Sequence, residues 1–238
     1  MRCRAQSLNG LAAFITLPLV LASGPALAGQ EARGKAALLD PDALKEQAPA
    51  TFKVNFDTSA GQFVVEVHRD WAPHGADRFY NLVKHGFYDG NRFYRVTDLV
   101  ANFGIHGDRD VARAWLGKNI PDDPARTLGP SSGELNPKGA SAQSNRKGFV
   151  AFSQPGANRR STQVIIHLDD NSTLDSQMTP FAQVISGMNV VERLYKGYGE
   201  LAPTGKGPML TPLYAEGNAY LEREFPRLDY IKTATIVQ

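Results

Sequence analysis

A five-residue string at positions 129–133 is the feature of this sequence most suggestive of covalent catalysis. It matches G-x-S-x-G, the pattern in which serine hydrolases place their nucleophile on a tight turn between a strand and a helix. Here no strand is predicted before the string, and Pro130 with its Gly, Ser and Asn neighbours is typical of an open loop. Glu134 is the one acid between Ser131 and the next histidine, His167. A hydrolase that uses Ser131 therefore stays an alternative that the sequence does not favour.

Phosphate, metal and thiol chemistry also lack their usual patterns. Five residues rather than four separate Gly199 from Gly205, and Lys206 is followed by Gly207 instead of Ser or Thr, so this string does not match a phosphate-binding loop. The histidines show no spacing typical of metal ligands. They are His68, His74, His85, His106 and His167. The single cysteine, Cys3, lies in a segment that we expect to be removed. The sequence predicts no cofactor and no metal.

Hydrogen-bond donors and aliphatic residues alternate in a way that suits a noncovalent site. Successive strand residues point to opposite faces, so Gln163 and Ile165 share the face opposite Val164. Two other predicted strands carry Arg95 and Asn102. If these strands are neighbours on a barrel wall, they form a donor-rich patch beside an apolar hollow. The donors are Arg95, Asn102 and Gln163, and the hollow consists of Leu99, Val100, Ile165 and Leu174. The spacing alone also fits an ordinary solvated face.

Short strands dominate the elements that must position these residues. Period-two and helical spacing of apolar residues predict about eight strands and three helices. The strands are 51–57, 63–67, 92–97, 100–106, 148–153, 162–168, 181–186 and 230–237, and the helices are 73–86, 188–196 and 218–224. The absence of strand-helix-strand alternation favours an antiparallel barrel or sandwich.

Segments outside these elements complete the predicted organisation. Residues 29–50 are rich in Ala and charged residues and predict a tether before a domain at 51–238. Within that domain, 107–147 is a long loop or insertion, and 197–227 is a C-terminal elaboration that begins with the irregular stretch 197–217.

The N-terminal residues are typical of a secretory signal peptide. Arg2 and Arg4 precede an apolar stretch at 11–22, and the small-x-small sequence at 26–28 predicts cleavage after Ala28. The stretch is shorter than the roughly 20 residues that span a bilayer, so we expect no stable membrane insertion after cleavage. Cleavage removes two arginines and no acid from 26 basic and 24 acidic residues, which leaves 24 of each. We expect a periplasmic or secreted protein that does not bind nucleic acid.

Several segments, in order, resemble the signature of the cyclophilin-type peptidyl-prolyl cis/trans isomerases. RFYRV at 92–96 and VANFGIHGD at 100–108 are similar to the family's F-[FHY]-R-V and Q-F-G-I-x-G-D. NRRSTQVII at 158–166, which follows GFVAFS at 148–153, is similar to N-x-x-[GT]-[ST]-Q-F-F-I. The segments 171–175, 180–181 and 184–191 resemble the family's L-D…P-F-G-x-V-x-x-G-M-x-V-V. The resemblance extends over about 51–237.

The resemblance implies a mainly β fold, an eight-stranded closed antiparallel barrel capped by two helices, to which this sequence adds a short C-terminal helix. It implies a monomeric rotamase for proline-containing, unfolded or partly folded polypeptides, here assisting the folding of exported proteins. Arg95 matches the catalytic arginine, Gln163 the glutamine that positions the substrate backbone, and Asn102 a position usually occupied by Gln. Further matches are Ser153 and Gln154 for pairing with the peptide main chain, and Leu99, Val100, Ile165 and Leu174 for the proline pocket.

The sequence departs from the family pattern mainly in this pocket. Leu99 and Ile165 stand where Phe is usual, Val100 where Met is common, and Thr173 where many eukaryotic members have Trp. The pocket is therefore expected to stay apolar but to lose its aromatic shape. A catalytically weak peptide-binding chaperone or scaffold that uses the same groove is the alternative function.

Overall fold

The computed structural model describes Met1, residues 34–123 and residues 143–237. Residues 2–28 of the predicted signal peptide and Ser131 lie outside these residues. Within the described part, no helix is long and apolar enough to cross a membrane.

Eight antiparallel strands form one curled sheet, as predicted. In chain order they are β1 (Thr51–Thr58), β2 (Gly61–His68), β3 (Arg95–Val96), β4 (Val100–Phe103), β5 (Phe149–Phe152), β6 (Val164–His167), β7 (Pro180–Ser186) and β8 (Ile231–Val237). Their order across the sheet is β3-β4-β6-β5-β7-β2-β1-β8.

The predicted closure of this barrel is wrong. β3 and β8 are the two edges of the sheet, and in the described chain no ladder joins them. β3 has only 2 residues, and on the side away from β4 its Val96 forms an isolated bridge with Gly199 rather than a ladder with β8. The segments before the two edge strands meet at an isolated bridge between Arg92 and Tyr230, and the Ile231 nitrogen at the start of β8 donates to the Asn91 carbonyl over 2.8 Å.

Helices pack against the sheet and make up part of the C-terminal elaboration (197–227). They are α1 (Pro73–Lys84), α2 (Arg109–Trp115), α3 (Met188–Glu192), α4 (Leu210–Glu216) and α5 (Asn218–Glu224), and residues 34–38 are helical as well. The predicted helices at 73–86 and 218–224 are confirmed in α1 and α5, and the one predicted at 188–196 is present as α3 but ends at Glu192. The sequence analysis missed α2, which lies in the predicted loop 107–147 and is capped by the Asp108 carboxylate. It also missed α4, because Pro212 reads as a helix breaker although the first turn of a helix tolerates proline.

The inner face of the sheet and α1 enclose an aromatic-rich cluster, which we call the barrel core. Phe56 of β1 and Phe63 of β2 are cross-strand partners whose rings stack with centroids 4.8 Å apart. Phe79 of α1 reaches across to Phe181 of β7, with ring centroids 4.9 Å apart. The apolar residues at every second position of the predicted strands are therefore the ones whose side chains fill this core.

A second cluster, which we call the outer cluster, lies between the sheet and the C-terminal elaboration (197–227). Its buried members are Tyr94, Ile105, Ala112, Leu213, Tyr220, Leu221 and Leu228. The first three belong to the region around β3, β4 and α2, and the others belong to α4, α5 and the turn before β8. The C-terminal elaboration thus packs on the wall that carries Arg95.

The described part of the predicted tether, 34–50, packs on the domain. Leu38 is 3% exposed and belongs to the barrel core, and its carbonyl accepts a hydrogen bond from the Trp115 indole nitrogen over 2.8 Å. The Asn81 side chain accepts from the Glu46 backbone nitrogen over 3.1 Å and donates to the Glu46 carbonyl over 2.7 Å. These contacts extend the folded unit on the N-terminal side of residue 51.

Candidate active site

Strand register places three of the predicted site residues side by side. Arg95 in β3 is the cross-strand partner of Asn102 in β4, and Asn102 is the partner of Ile165 in β6. Residues directly opposite on an antiparallel ladder have their side chains on the same face. The Arg95 guanidinium accordingly donates from Nη1 to Asn102 Oδ1 over 2.9 Å. A charged donor therefore stands in one row with an amide and an aliphatic side chain.

The side-chain amide of Gln163 is held at both of its polar atoms. The Tyr94 hydroxyl donates to Oε1 over 2.7 Å, and Nε2 donates to the Tyr214 hydroxyl oxygen over 3.0 Å. Burial raises the pKa of both tyrosines, so both hydroxyls stay protonated near neutral pH. The Ser153 backbone nitrogen donates to the Gln163 carbonyl over 2.9 Å, which places Ser153 beside this residue at the end of β5.

A carboxylate that the sequence analysis missed completes the contacts of Arg95. Glu200 accepts from Arg95 Nε over 2.6 Å and from Nη2 over 2.7 Å. The hydrogen bond from Arg95 is the main cause that lowers the pKa of Glu200. The two residues are 105 positions apart, and no periodic pattern links them. The only sequence signal is a lone acid in the glycine-rich string 199–207, which does not match a phosphate-binding loop.

The predicted proline pocket is aliphatic and unevenly exposed. Val100 and Ile165 are each 4% exposed, yet neither belongs to the barrel core, because their side chains are on the outer face of the sheet. Leu99 is 49% exposed at the turn between β3 and β4. Leu174 lies half-buried in a short 3-10 helix, and Gln154 lies half-buried after β5. Strand register thus places Val100 and Ile165 on the strands of the patch, whereas the other three lie on connecting segments.

His167 lies beside the same wall as the cross-strand partner of Val100. It is fully buried, and this burial lowers the pKa of its imidazole to about 4, so the ring is neutral at pH 7. Among the described residues, no group of three or more His, Cys, Asp or Glu side chains could hold a metal ion.

Comparison with known proteins gives the family. Residues 53–210 match the family model described as cyclophilin type peptidyl-prolyl cis-trans isomerase/CLD. Over 142 residues the chain is 32% identical to peptidyl-prolyl cis-trans isomerase-like 1 of Rhizopus delemar, a match that covers 60% of this chain and 79% of the relative. Over 141 residues it is 30% identical to peptidyl-prolyl cis-trans isomerase ppi1 of Schizosaccharomyces pombe, covering 59% and 83% respectively.

Two solved structures share the fold. The cyclophilin AquaCyp293 from Hirschia baltica matches with a TM-score of 0.51 and 15% identity over 80% of this chain and 75% of its own. A cyclophilin type peptidyl-prolyl cis-trans isomerase of Cryptosporidium parvum matches with a TM-score of 0.52 and 14% identity over 79% of this chain and 98% of its own. These identities show likeness of fold alone. The family model and the curated relatives go further, and they place this chain among the cyclophilin-type peptidyl-prolyl cis-trans isomerases.

Proposed function

We propose that this isomerase accelerates rotation about X-Pro bonds by a hydrogen bond from Arg95 to the twisted prolyl amide. A planar amide resists rotation with a barrier of about 18–20 kcal/mol, because the nitrogen lone pair is delocalised into the carbonyl. As the bond twists, the lone pair returns to the nitrogen, which then accepts a hydrogen bond. A donor that finds its acceptor only in the twisted state binds the transition state more tightly than the substrate.

The observation that carries this proposal is the row formed by Arg95, Asn102 and Ile165. It sets a guanidinium beside an apolar wall against which a prolyl ring would pack. A charge-assisted hydrogen bond is roughly twice as strong as a neutral one, and an apolar surrounding strengthens it further. Removal of one such transition-state donor typically lowers turnover by about 10²–10³-fold.

The remaining predicted residues would hold the peptide around this donor. Gln163 presents a fixed amide, and Ser153 and Gln154 continue β5 next to it, where a peptide main chain would pair. The pocket for the prolyl ring would consist of Leu99, Val100, Ile165 and Leu174. The substrates on this proposal are proline-containing segments of unfolded or partly folded polypeptides.

Substitution of Arg95 tests the proposal. In a coupled peptide isomerisation assay, we expect Arg95→Ala to lower kcat/KM by about 10²–10³-fold. Arg95→Lys should not restore the full rate, because an ammonium cannot reproduce the planar fork. The melting temperature should change little, since the Arg95 side chain is 25% exposed on the outer face. Arg193→Ala, at an exposed arginine that follows α3, is the matched control.

An unaltered rate in Arg95→Ala would contradict the role of this residue. The aliphatic pocket, which lacks the aromatic side chains usual in the family, is the reason to consider the chaperone alternative. A wild-type protein that binds unfolded polypeptides but accelerates isomerisation only weakly would favour it.

We also propose that the clients are exported proteins. The support is the sequence at 1–28, with its basic start, apolar stretch and cleavage pattern. Terminal sequencing of the protein isolated from the cell that makes it should give Gly29 as the first residue. A chain that retains Met1 and fractionates with cytoplasmic proteins would contradict export.

A further inference from the structure

We infer that Glu200 is a positioning residue for Arg95. The C-terminal elaboration (197–227) contributes it to the active site. The inference rests on the catalytic role proposed above for Arg95. It assigns to the segment 197–217 a function in turnover, in addition to its packing on the sheet.

Glu200 and Asn102 together fix the plane of the guanidinium. Arginine has five N–H donors in a rigid fork, and here Nε and Nη2 engage the two carboxylate oxygens while Nη1 engages the amide oxygen. Bidentate pairing of this kind sets orientation as well as distance. Two N–H groups, one on each terminal nitrogen, remain for a substrate.

The carboxylate is itself held by a closely packed turn. The Leu201 backbone nitrogen donates to Glu200 Oε1 over 2.9 Å, and the Gly207 nitrogen donates to the Glu200 carbonyl over 2.8 Å. A Cβ placed on Gly205 would lie 2.3 Å from that same carbonyl oxygen, so only glycine permits this approach. The glycines of the string 199–207 therefore shape the turn that presents Glu200.

The turn is also anchored to the wall that carries the site. Gly199 forms a bridge with Val96, the residue after Arg95 in β3. Tyr198 and Leu201, which flank Gly199 and Glu200, pack against the outer cluster. Glu200 thus reaches Arg95 from a support that is continuous with the folded domain.

Exposure favours positioning over blockage of the site. The side chains of Arg95 and Glu200 are 25% and 38% exposed, so solvent reaches both partners of the ion pair. A peptide can therefore approach the guanidinium while the carboxylate stays in place. Without Glu200, the long arginine side chain would sample several rotamers, and only some of them would aim a donor at the prolyl nitrogen.

Glu200→Gln is the decisive variant, because it keeps the shape and removes the charge. We expect kcat to fall about tenfold with KM unchanged within about twofold, since misplacement of a catalytic group lowers turnover rather than binding. Glu200→Asp should not restore kcat, because the shorter side chain cannot span both nitrogens. Glu222→Gln is the matched control: Glu222 belongs to α5 in the same C-terminal elaboration (197–227) and pairs with Arg92 over 3.0 Å, but it does not contact Arg95.

A second measurement observes the guanidinium directly. The Arg95 Nε–H should exchange slowly with solvent by NMR in the wild type and in Glu222→Gln, and rapidly in Glu200→Gln. The melting temperature of each variant identifies any loss that comes from unfolding.

Two outcomes would overturn the inference. A kcat/KM that rises in Glu200→Gln would show that the carboxylate blocks the site, and an unchanged kcat would show that it plays no part in turnover. If Arg95→Ala is also unchanged, the proposed catalytic role of Arg95 fails as well. A severe loss in Arg95→Ala with none in Glu200→Gln refutes the positioning role alone.

Discussion

The barrel core and the outer cluster are built from different kinds of sequence. Strand alternation and the apolar stripe of α1 supply the barrel core, so regular elements place its rings whether the partners are close in sequence, as Phe56 and Phe63 are, or far apart, as Phe79 and Phe181 are. The outer cluster joins residues separated by more than 100 positions, such as Tyr94 and Leu213, and its C-terminal half comes from short helices. The barrel core shapes the sheet, whereas the outer cluster brings a second set of polar side chains to its outer wall.

This difference explains how the active site is assembled. Arg95, Asn102 and Ile165 are placed by strand register alone, and strand register depends on the barrel core. Glu200 and Tyr214, which contact Arg95 and Gln163, are placed by the outer cluster. Damage to the outer cluster should therefore affect both stability and turnover, while the sheet itself persists.

Replacement of residues 198–226 by a flexible Gly/Ser linker is the largest test of this distinction. It removes Leu213, Tyr220 and Leu221, whose burial contributes roughly 1.5–3 kcal/mol each, out of about 5–15 kcal/mol for a typical domain. We expect the melting temperature to fall by about 10 °C or more. In the fraction that stays folded, kcat should fall at least as far as in Glu200→Gln.

Deletion of residues 125–142 is the control for that replacement. Its only large apolar residues are Leu128 and Leu135, so little burial should be lost, and stability depends only weakly on loop length. Thermal melts compare the melting temperatures of both altered proteins with that of the wild type. An unchanged melting temperature after the 198–226 replacement, with a large decrease after the deletion, would reverse the roles assigned to the two segments.

Composition alone predicts that a deletion of 125–145 is tolerated, but contacts of residues 144 and 145 contradict this, so the deletion has to stop at residue 142. Asn145 is fully buried, and its Nδ2 donates to Asp175 Oδ1 and to the Met178 carbonyl, each over 2.9 Å. Composition alone assigns this asparagine to the irregular segment 107–147. Its burial depends on a partner 30 positions away, which no local pattern indicates.

Site residues that strand register places can be predicted from the sequence, whereas site residues that the outer cluster places cannot. Period-two alternation in the segments around Arg95, Asn102 and Ile165 is a local property, and it places their side chains on the outer face. The placement of Glu200 depends on packing between short helices and the sheet, and these helices lack a long amphipathic pattern. Closure of the barrel was expected from the family resemblance, but the two-residue length of β3 depends on pairing that the apolar pattern at 92–97 does not reveal.

Acidification gives a smaller test, which addresses the sheet rather than the outer cluster. His167 belongs to β6, and burial lowers the pKa of its imidazole to about 4 from the ordinary value of about 6.5. The folded state therefore favours the neutral ring, whereas the unfolded chain takes up a proton below about pH 6.5. This contribution to stability is complete above pH 6.5 and is lost as the pH falls towards 4.

The expected loss from His167 is about 3 kcal/mol over that interval, because each pKa unit corresponds to about 1.4 kcal/mol. His106, whose pKa burial also lowers, adds a loss of the same sign. Urea unfolding at pH 7 and at pH 4.5 measures the total, and NMR titration of the imidazole resonances separates the two rings. A His167 ring that titrates at its ordinary pKa of about 6.5 would show that solvent reaches this wall of the sheet, contrary to the burial of His167.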